Sequence, residues 1–413
     1  MRNRMMLLGV ALALVLPVLS HAVDSPQFRG TDRTGVFQEK GLLKSWPEGG
    51  PAVAWSAKGL GKGYSSVSVV GGKVYTTGRR EDETGVILVF NESTGALEKT
   101  LPYGKESVEE QAPGSRATPT IEGGRLYLMS GLGVLYCFDL AKGEKVWEAN
   151  VLERFGAKNI TWQLSESVLV DGDKVICTPG GTGALVAAVN KNTGETLWAA
   201  KGTDDRASYC TPIIVNHNGH RILLTGTARS IIGVDPDSGK LLWSFAHKVP
   251  WDIHAVTPVY SNGLVYYTGG DGVGGGALEL SPDGSSVKSK WTDTTLDCLH
   301  HGVVLLDGYL YGTGYKSGGK LVCLEMATGK VMWTSKEVKE GMVVAADGML
   351  YVYQGPKAGT VSLVKTSPAG YERTGHFDLT EGTDQHWAHP AIANGRLYLR
   401  HGDALVAYDV AAK

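Results

Sequence analysis

Apolar and polar residues alternate in short runs along most of this chain, and the runs recur in a fixed order. One recurring piece is an alternating run, an Asp or Asn, a Thr-Gly-like turn, and a short second run that ends in tryptophan. It occupies residues 135–147, 185–198, 231–243, 278–291 and 321–333. Two copies depart from it: 86–101 keeps the Ser-Thr-Gly turn but has Leu101 in the tryptophan's place, and 361–377 has Pro-Ala-Gly and Phe377. Alternation of period two, punctuated by turn residues, predicts strands. A second piece lies ahead of these copies: a strand, a two-residue turn and a strand with a tyrosine. It runs over 67–75 through Gly71-Gly72, 118–127 through Gly123-Gly124, 303–311 through Asp307-Gly308, 343–351 through Asp347-Gly348, and 391–398 through Asn394-Gly395. Such pairs, between apolar runs, favour tight hairpins. Together the two pieces make a four-stranded antiparallel sheet of roughly 45 residues.

A sheet of four short strands, apolar on both faces, is not stable alone. Copies must stack, and radial stacking gives a β-propeller. The tryptophans Trp147, Trp198, Trp243, Trp291 and Trp333, with Trp55, are then packing residues between blades. Each would bury on the order of 200 Å², which at ~25 cal/mol/Å² is several kcal/mol as an upper bound. The unit at 391–410 has only three strands, while 51–57, around Trp55, has the form of a fourth strand without its first three. Pairing the two closes the ring. The expected fold is all-β, an eight-bladed β-propeller of four-stranded antiparallel blades closed by the N-terminal strand; seven blades is the alternative, because the units around 86 and 185 are the least regular. The propeller takes residues 51–413 as one domain, 23–50 form an N-terminal extension, and 1–22 form a signal peptide.

The signal is read from Arg2 and Arg4, an apolar stretch over 5–19, and Ser20-His21-Ala22 as a cleavage site. It predicts export to the periplasm or the medium as a soluble protein; no other segment is long and apolar enough to span a membrane. With 40 Lys+Arg against 42 Asp+Glu, net charge −2, the chain has no footprint for nucleic acid. A monomer is expected. Glycine, at 56 residues, fits a fold with many tight turns. Five cysteines, Cys137, Cys177, Cys210, Cys298 and Cys323, are too few and too dispersed for a disulfide scaffold. Cys137 and Cys323 share one repeat position and read as core; Cys210 and Cys298 share another, where a bridge is conceivable.

The repeat resembles the pyrroloquinoline-quinone (PQQ) repeat of the quinoprotein alcohol dehydrogenase-like propellers, whose Asp, Thr-Gly-Lys and terminal Trp are matched by Ala327-Thr-Gly-Lys-Val-Met-Trp333 and Asp237-Ser-Gly-Lys-Leu-Leu-Trp243. The resemblance covers nearly all of the mature chain. Pro26-Gln-Phe-Arg-Gly30, Trp251-Asp-Ile-His-Ala-Val-Thr-Pro258, His300-His-Gly302 and Gly395-Arg-Leu-Tyr-Leu-Arg400 resemble segments of the secreted PQQ-binding-like propeller proteins of planctomycete-type bacteria. In quinoprotein dehydrogenases the quinone lies on a Trp platform under a disulfide between adjacent cysteines, beside a Ca²⁺ held by carboxylate and Asn ligands. This chain has no adjacent Cys pair and no Cys-x-x-Cys-His haem motif, so no cofactor is expected; PQQ with Ca²⁺ is the disfavoured alternative. A second relative by repeat type is the propeller subunit of the outer-membrane barrel assembly machinery, a lipoprotein that binds partners and does no chemistry; its lipid-anchoring Cys has no counterpart here.

The innermost strand of each propeller blade lines the central channel, so residues approaching these strands gather at one mouth however distant in sequence. Those positions hold Tyr64 and Ser65, Arg116, Trp162, Gln163 and Glu166, Tyr209 and Cys210, Asp252 and His254, Asp297, His300 and His301, then Gln385, His386, Trp387 and His389. The candidate ligand site is Arg116, Trp162, Glu166, Asp252, His254, His300, His301, His386 and His389. Histidine there suits acid-base work or a ligand. His300 and His301, neighbours on an expected strand, should point to opposite faces. No His-Glu-x-x-His or paired Cys-x-x-Cys is present, and no metal is expected. The glycine-rich run at 269–276 lacks the Lys-Ser/Thr of a phosphate loop and reads as a hairpin turn; 79–83 reads as a solvated charged loop. Catalytic residues stay unassigned, with a carboxylate pair among Glu166, Asp252 and Asp297 open. The leading expectation is a scaffold that binds a protein or small ligand; the alternative is an enzyme acting at the channel mouth on a carbohydrate or alcohol.

Overall fold

Period-two runs broken by glycine turns give strands almost throughout the computed structural model, which describes residues 23–412. The expected signal peptide at 1–22 lies outside the described residues. Blade 1 is Ser68–Val70, Lys73–Arg79, Thr84–Asn91 and Leu97–Lys105, paired in chain order. Blades 2 to 7 repeat this plan from first strands Thr120–Glu122, Leu169–Asp171, Ile213–His217, Val259–Ser261, Val303–Leu306 and Gly341–Ala346. Blade 8 takes Ala391–Ala393, Arg396–His401 and Ala404–Asp409 from the C-terminal side, and Val53–Lys58 completes it, with Trp55 opposite Ala407. The ring therefore has eight blades, not seven, and the N-terminal strand closes it. First strands of neighbouring blades approach one another and line the axis.

The hairpin pairs adopt the expected left-handed backbone: Asp307 and Gly308 have φ of 50° and 85°. Glycine in the Thr-Gly turn has a second use. The ring of Trp147, on the outer strand of blade 2, lies against Gly194 in the turn of blade 3, where a Cβ would come within 2.7 Å of it. Trp55 meets Gly95, Trp198 meets Gly239 and Trp291 meets Gly329 in the same way, each one blade on. Indole N–H groups complete the joint: Trp55 donates to the Glu92 carbonyl at 2.8 Å, Trp147 to Lys191 at 3.0 Å, Trp291 to Met326 at 3.1 Å and Trp333 to Ser367 at 2.7 Å. Tryptophan and glycine are thus two halves of one contact between blades. A bulge just before the tryptophan, as between Lys145 and Trp147, turns the indole toward its neighbour. The degenerate copies keep the joint with other side chains, since Leu101 reaches Gly143 of blade 2.

The axis is not open. Residues 23–37 of the extension run into the channel and touch six blades. Ser25 exchanges both backbone hydrogen bonds with Val69 of blade 1, and the Ile121 amide of blade 2 donates to the Pro26 carbonyl at 2.8 Å. Arg33 donates to the carbonyls of Ser167 and Val168 in blade 3. The Arg29 guanidinium reaches the Val303 carbonyl of blade 6 at 2.8 Å and the Val343 carbonyl of blade 7 at 3.2 Å, with His389 of blade 8 beside it. Val36–Phe37 then pairs in parallel with Ala345 and Ala346 on the inner strand of blade 7. Both guanidiniums are buried, which lowers each to about 10, so both are cations at neutral pH held by carbonyl dipoles.

Candidate functional site

All first strands run the same way along the axis, so the residues just ahead of them share one end of the ring. There the plug leaves a cup of ≈ 290 Å³. Phe28 closes it toward the axis, its ring 4.9 Å from that of His389. Tyr64 of blade 1, Trp162 of blade 3, Tyr209 of blade 4 and Trp387 of blade 8 line it. Tyr64 and Trp387 meet at 5.1 Å between centroids, and Trp162 and Tyr209 at 6.2 Å. The wall continues outward through Trp251, 70% exposed and 6.3 Å from Trp162. Trp251 and Asp252 both have left-handed backbone, φ 62° and 59°, a strain that two successive non-glycine residues rarely carry. Beyond the plug a second cavity of ≈ 400 Å³, lined by Arg29, Arg33 and the inner strands of blades 4 to 6, occupies the other part of the channel.

Of the nine candidate residues, Arg116, Trp162, His300 and His389 reach the cup. The other five do not line it. Glu166 is buried behind the wall, accepting from the Thr178 amide at 2.8 Å, and burial pushes it up to about 8. Asp252 pairs with Arg206 at the surface. His254 is buried between His247, at 2.8 Å, and the Thr227 carbonyl. His386 stacks on His401 at 3.6 Å and meets the Tyr353 hydroxyl at 2.6 Å. His301 is buried beside His300 with its Nδ1 unpartnered. The expectation that His300 and His301 face opposite ways fails, because both lie in the bend before Val303 rather than on a strand, and their rings are 4.4 Å apart. The two cysteines at the shared position are not bridged either: Cys210 and Cys298 are buried free thiols, with Cys210 Sγ 3.5 Å from the Val256 carbonyl.

The carboxylate pair does not form. Asp297, buried in blade 6, accepts from the amides of Gly272, Tyr315 and Lys316, all at 2.8 Å, and so clamps two loops. Glu106 and Asp205 do the same in blades 1 and 4. The acids behind the cup are thus structural clips, and none lines it. Its histidines are neutral: desolvation lowers His300 to about 4 and holds His389 well below the ordinary range. Among the described residues the one cation in the wall is Arg116. Its Nη2 donates to the carbonyls of Trp162 and Gln163, its Nε is buried without a partner, and Nη1 has no acceptor among the described residues.

Phe28 and Gln111, which accepts the Trp162 indole N–H at 2.9 Å, belong to the cup but escape a search restricted to inner strands. The signal for the plug was there in Arg29-Gly30 and Arg33-Thr34-Gly35, two arginines beside glycines in a segment with no strand pattern.

The repeat, the eight blades and the closed axis define a PQQ-repeat β-propeller. The family model described as outer membrane protein assembly factor BamB matches residues 25–201 and 84–335, and the chain belongs to that family. It is 26% identical over 243 residues to the outer membrane protein assembly factor BamB of Shewanella oneidensis, covering 54% of this chain and 57% of that one. It is 28% identical over 144 residues to the quinoprotein alcohol dehydrogenase PedH of Pseudomonas putida, covering 32% of this chain and 23% of the enzyme. The matched part is thus little more than half of the first relative and under a quarter of the second. Among solved structures, BamB from Moraxella catarrhalis superposes with a TM-score of 0.64 at 16% identity, over 87% of this chain and 99% of that one. Quinohemoprotein alcohol dehydrogenase from Comamonas testosteroni does so at 0.68 and 14% identity, over 95% and 81%. These two share the fold.

Among the described residues no acid lines the cup, and no three His, Cys, Asp or Glu side chains are grouped to hold a metal.

Proposed function

We propose that this protein is a binding propeller whose aromatic cup receives part of a partner protein. The observation that carries the reading is the composition of the cup: the acids lie behind it, committed to internal partners, while aromatic faces and the Arg116 cation line the cavity. Aromatic and arginine side chains around a concave site are the composition of interface anchors rather than of an acid-base pair. The Shewanella oneidensis relative is an assembly factor, which agrees with a scaffold. The leader at 1–22 would place it in the periplasm or outside the cell; among the described residues no helix is long and apolar enough to cross a membrane.

Site-specific cross-linking tests this reading. With p-benzoylphenylalanine placed at Trp251, irradiated cells should yield a discrete adduct with another protein; the same group at Lys288, on the outer strand of blade 5, should not. Equal labelling from both positions, or none from the cup, overturns it.

A further inference from the structure

We infer that the cup takes the C-terminal end of its partner, with Arg116 holding the terminal carboxylate and the aromatic wall holding an apolar last side chain. This rests on the binding reading above and adds the chemistry of what is bound.

Charge complementarity is the first support. Arg116 lines the cup with Nη1 unengaged and Nε buried without an acceptor. Among the described residues no carboxylate comes within ion-pair distance of it, as one does of Arg206, Arg221 and Arg229. The buried arginines Arg29 and Arg400 instead spread their donors over several carbonyls. Arg116 is oriented by the carbonyls of Trp162 and Gln163, which leaves Nη1 as its unengaged donor at the cavity. Glu106 and Glu109 act on this guanidinium only from beyond ion-pair distance, and its unengaged Nη1 in an aromatic wall suits an anion, a carboxylate matching its planar donors.

Size and shape supply the second. At ≈ 290 Å³ the cavity lies at the bottom of the range for whole small-molecule ligands, about 300–1,000 Å³, so it suits one end of something longer. The apolar surface does not stop at the cavity. Trp251, 70% exposed, extends the wall past Trp162, and Val108, 50% exposed, follows Glu106 and Ser107 on the loop that leads to Gln111. An exposed indole held in left-handed backbone on the rim is a costly arrangement for solvent and a useful one for a chain leaving the cup. A polypeptide C-terminus presents a free carboxylate, an apolar last side chain and a preceding backbone together, which match the donor, the wall and the extended surface in turn.

The test uses the full chain and fluorescence anisotropy. The probes are a fluorescein-labelled hexapeptide ending in phenylalanine with a free carboxylate, and the same peptide as its C-terminal amide. The acid should bind about 10-fold to 100-fold more tightly than the amide, the range for a charge-assisted hydrogen bond. Arg116→Gln should remove that preference, leaving both peptides at the amide's affinity, and Arg116→Lys should restore part of it. Equal binding of acid and amide by the unmodified protein overturns the proposal, as does a preference that survives in Arg116→Gln. Benzoate that displaces the acid peptide at the peptide's own Kd also overturns it, assigning the cup to small aryl acids. The comparison of the two peptides on unmodified protein needs no variant to fold. If acid and amide tie while the cross-linker at Trp251 still captures a protein, the C-terminal assignment falls and the binding reading stands.

Discussion

The rim of the ring and its axis are built by different rules. At the rim one contact is made again and again: an indole from one blade over a glycine of the next, closed by an N–H to a turn carbonyl. At the axis the strand entries repeat one amide-to-hydroxyl bond, Ser66 to Thr118, Thr118 to Ser167 and Ser167 to Thr211, but the contacts of the plug do not repeat. Arg29 bonds blades 6 and 7, Arg33 bonds blade 3, Phe28 closes the cup, and each occurs once. Repetition makes the rim tolerant, since Leu101 can stand in for tryptophan, and singularity makes the axis brittle. What is repeated builds the scaffold; what is unique shapes the cup.

The largest expected effect breaks the axis. Arg29→Ala leaves the Thr34, Val303 and Val343 carbonyls without their donor in a buried place, and should cost about 3 kcal/mol or more in urea unfolding. Trp147→Ala, at the rim, removes one of several like joints from a partly exposed site and should cost about 2 kcal/mol. If the rim variant is the more damaging, the contrast is wrong.

A pH series sharpens the comparison further, because the axis hides groups whose charge state differs from that in the unfolded chain. Glu166 keeps its proton to about 8 in the folded protein, while an unfolded Glu has released it by about 4.5. The folded state then holds more protons, so stability falls as pH rises through this window. Thermal unfolding should show that alkaline loss, and Glu166→Gln should flatten it. Histidines give the opposite limb. His247, His300 and His386, lowered to about 4, are neutral when folded, and the unfolded chain takes up their protons below about 6.5, so stability drops between about 6.5 and 4. The smallest effect concerns the cup's outer wall: Trp251→Asn, a residue suited to left-handed backbone, should move stability by less than about 0.5 kcal/mol while weakening peptide binding in anisotropy.

The same contrast explains what could be read from the chain. Blades, hairpins, the closing strand at Trp55 and the count of eight follow from a pattern that repeats, and repetition averages out local ambiguity. The site does not repeat. Residues approaching the inner strands lie in irregular backbone, with Gln163, Trp251 and Asp252 all at positive φ, so the pleat gives no rule for where a side chain points. Hence Arg116 and Trp162 arrive in the cup while Glu166 and His254 turn behind it. The extension at 23–37 has neither strand pattern nor repeat partner, and its place in the channel depends on buried arginines meeting carbonyls from blades hundreds of residues away.

That separation bears on the order in which the molecule matures. Blades 1 to 7 are each made from one continuous stretch, so each has its strand partners soon after it is synthesised. Blade 8 is not, because Val53–Lys58 must wait for Ala404–Asp409. The cup waits with it: Phe28 meets His389, and Tyr64 meets Trp387, only once the final blade is in place. A half-made or C-terminally clipped chain would have stacked blades but no assembled cup. The cup is therefore the last part of the molecule to be completed.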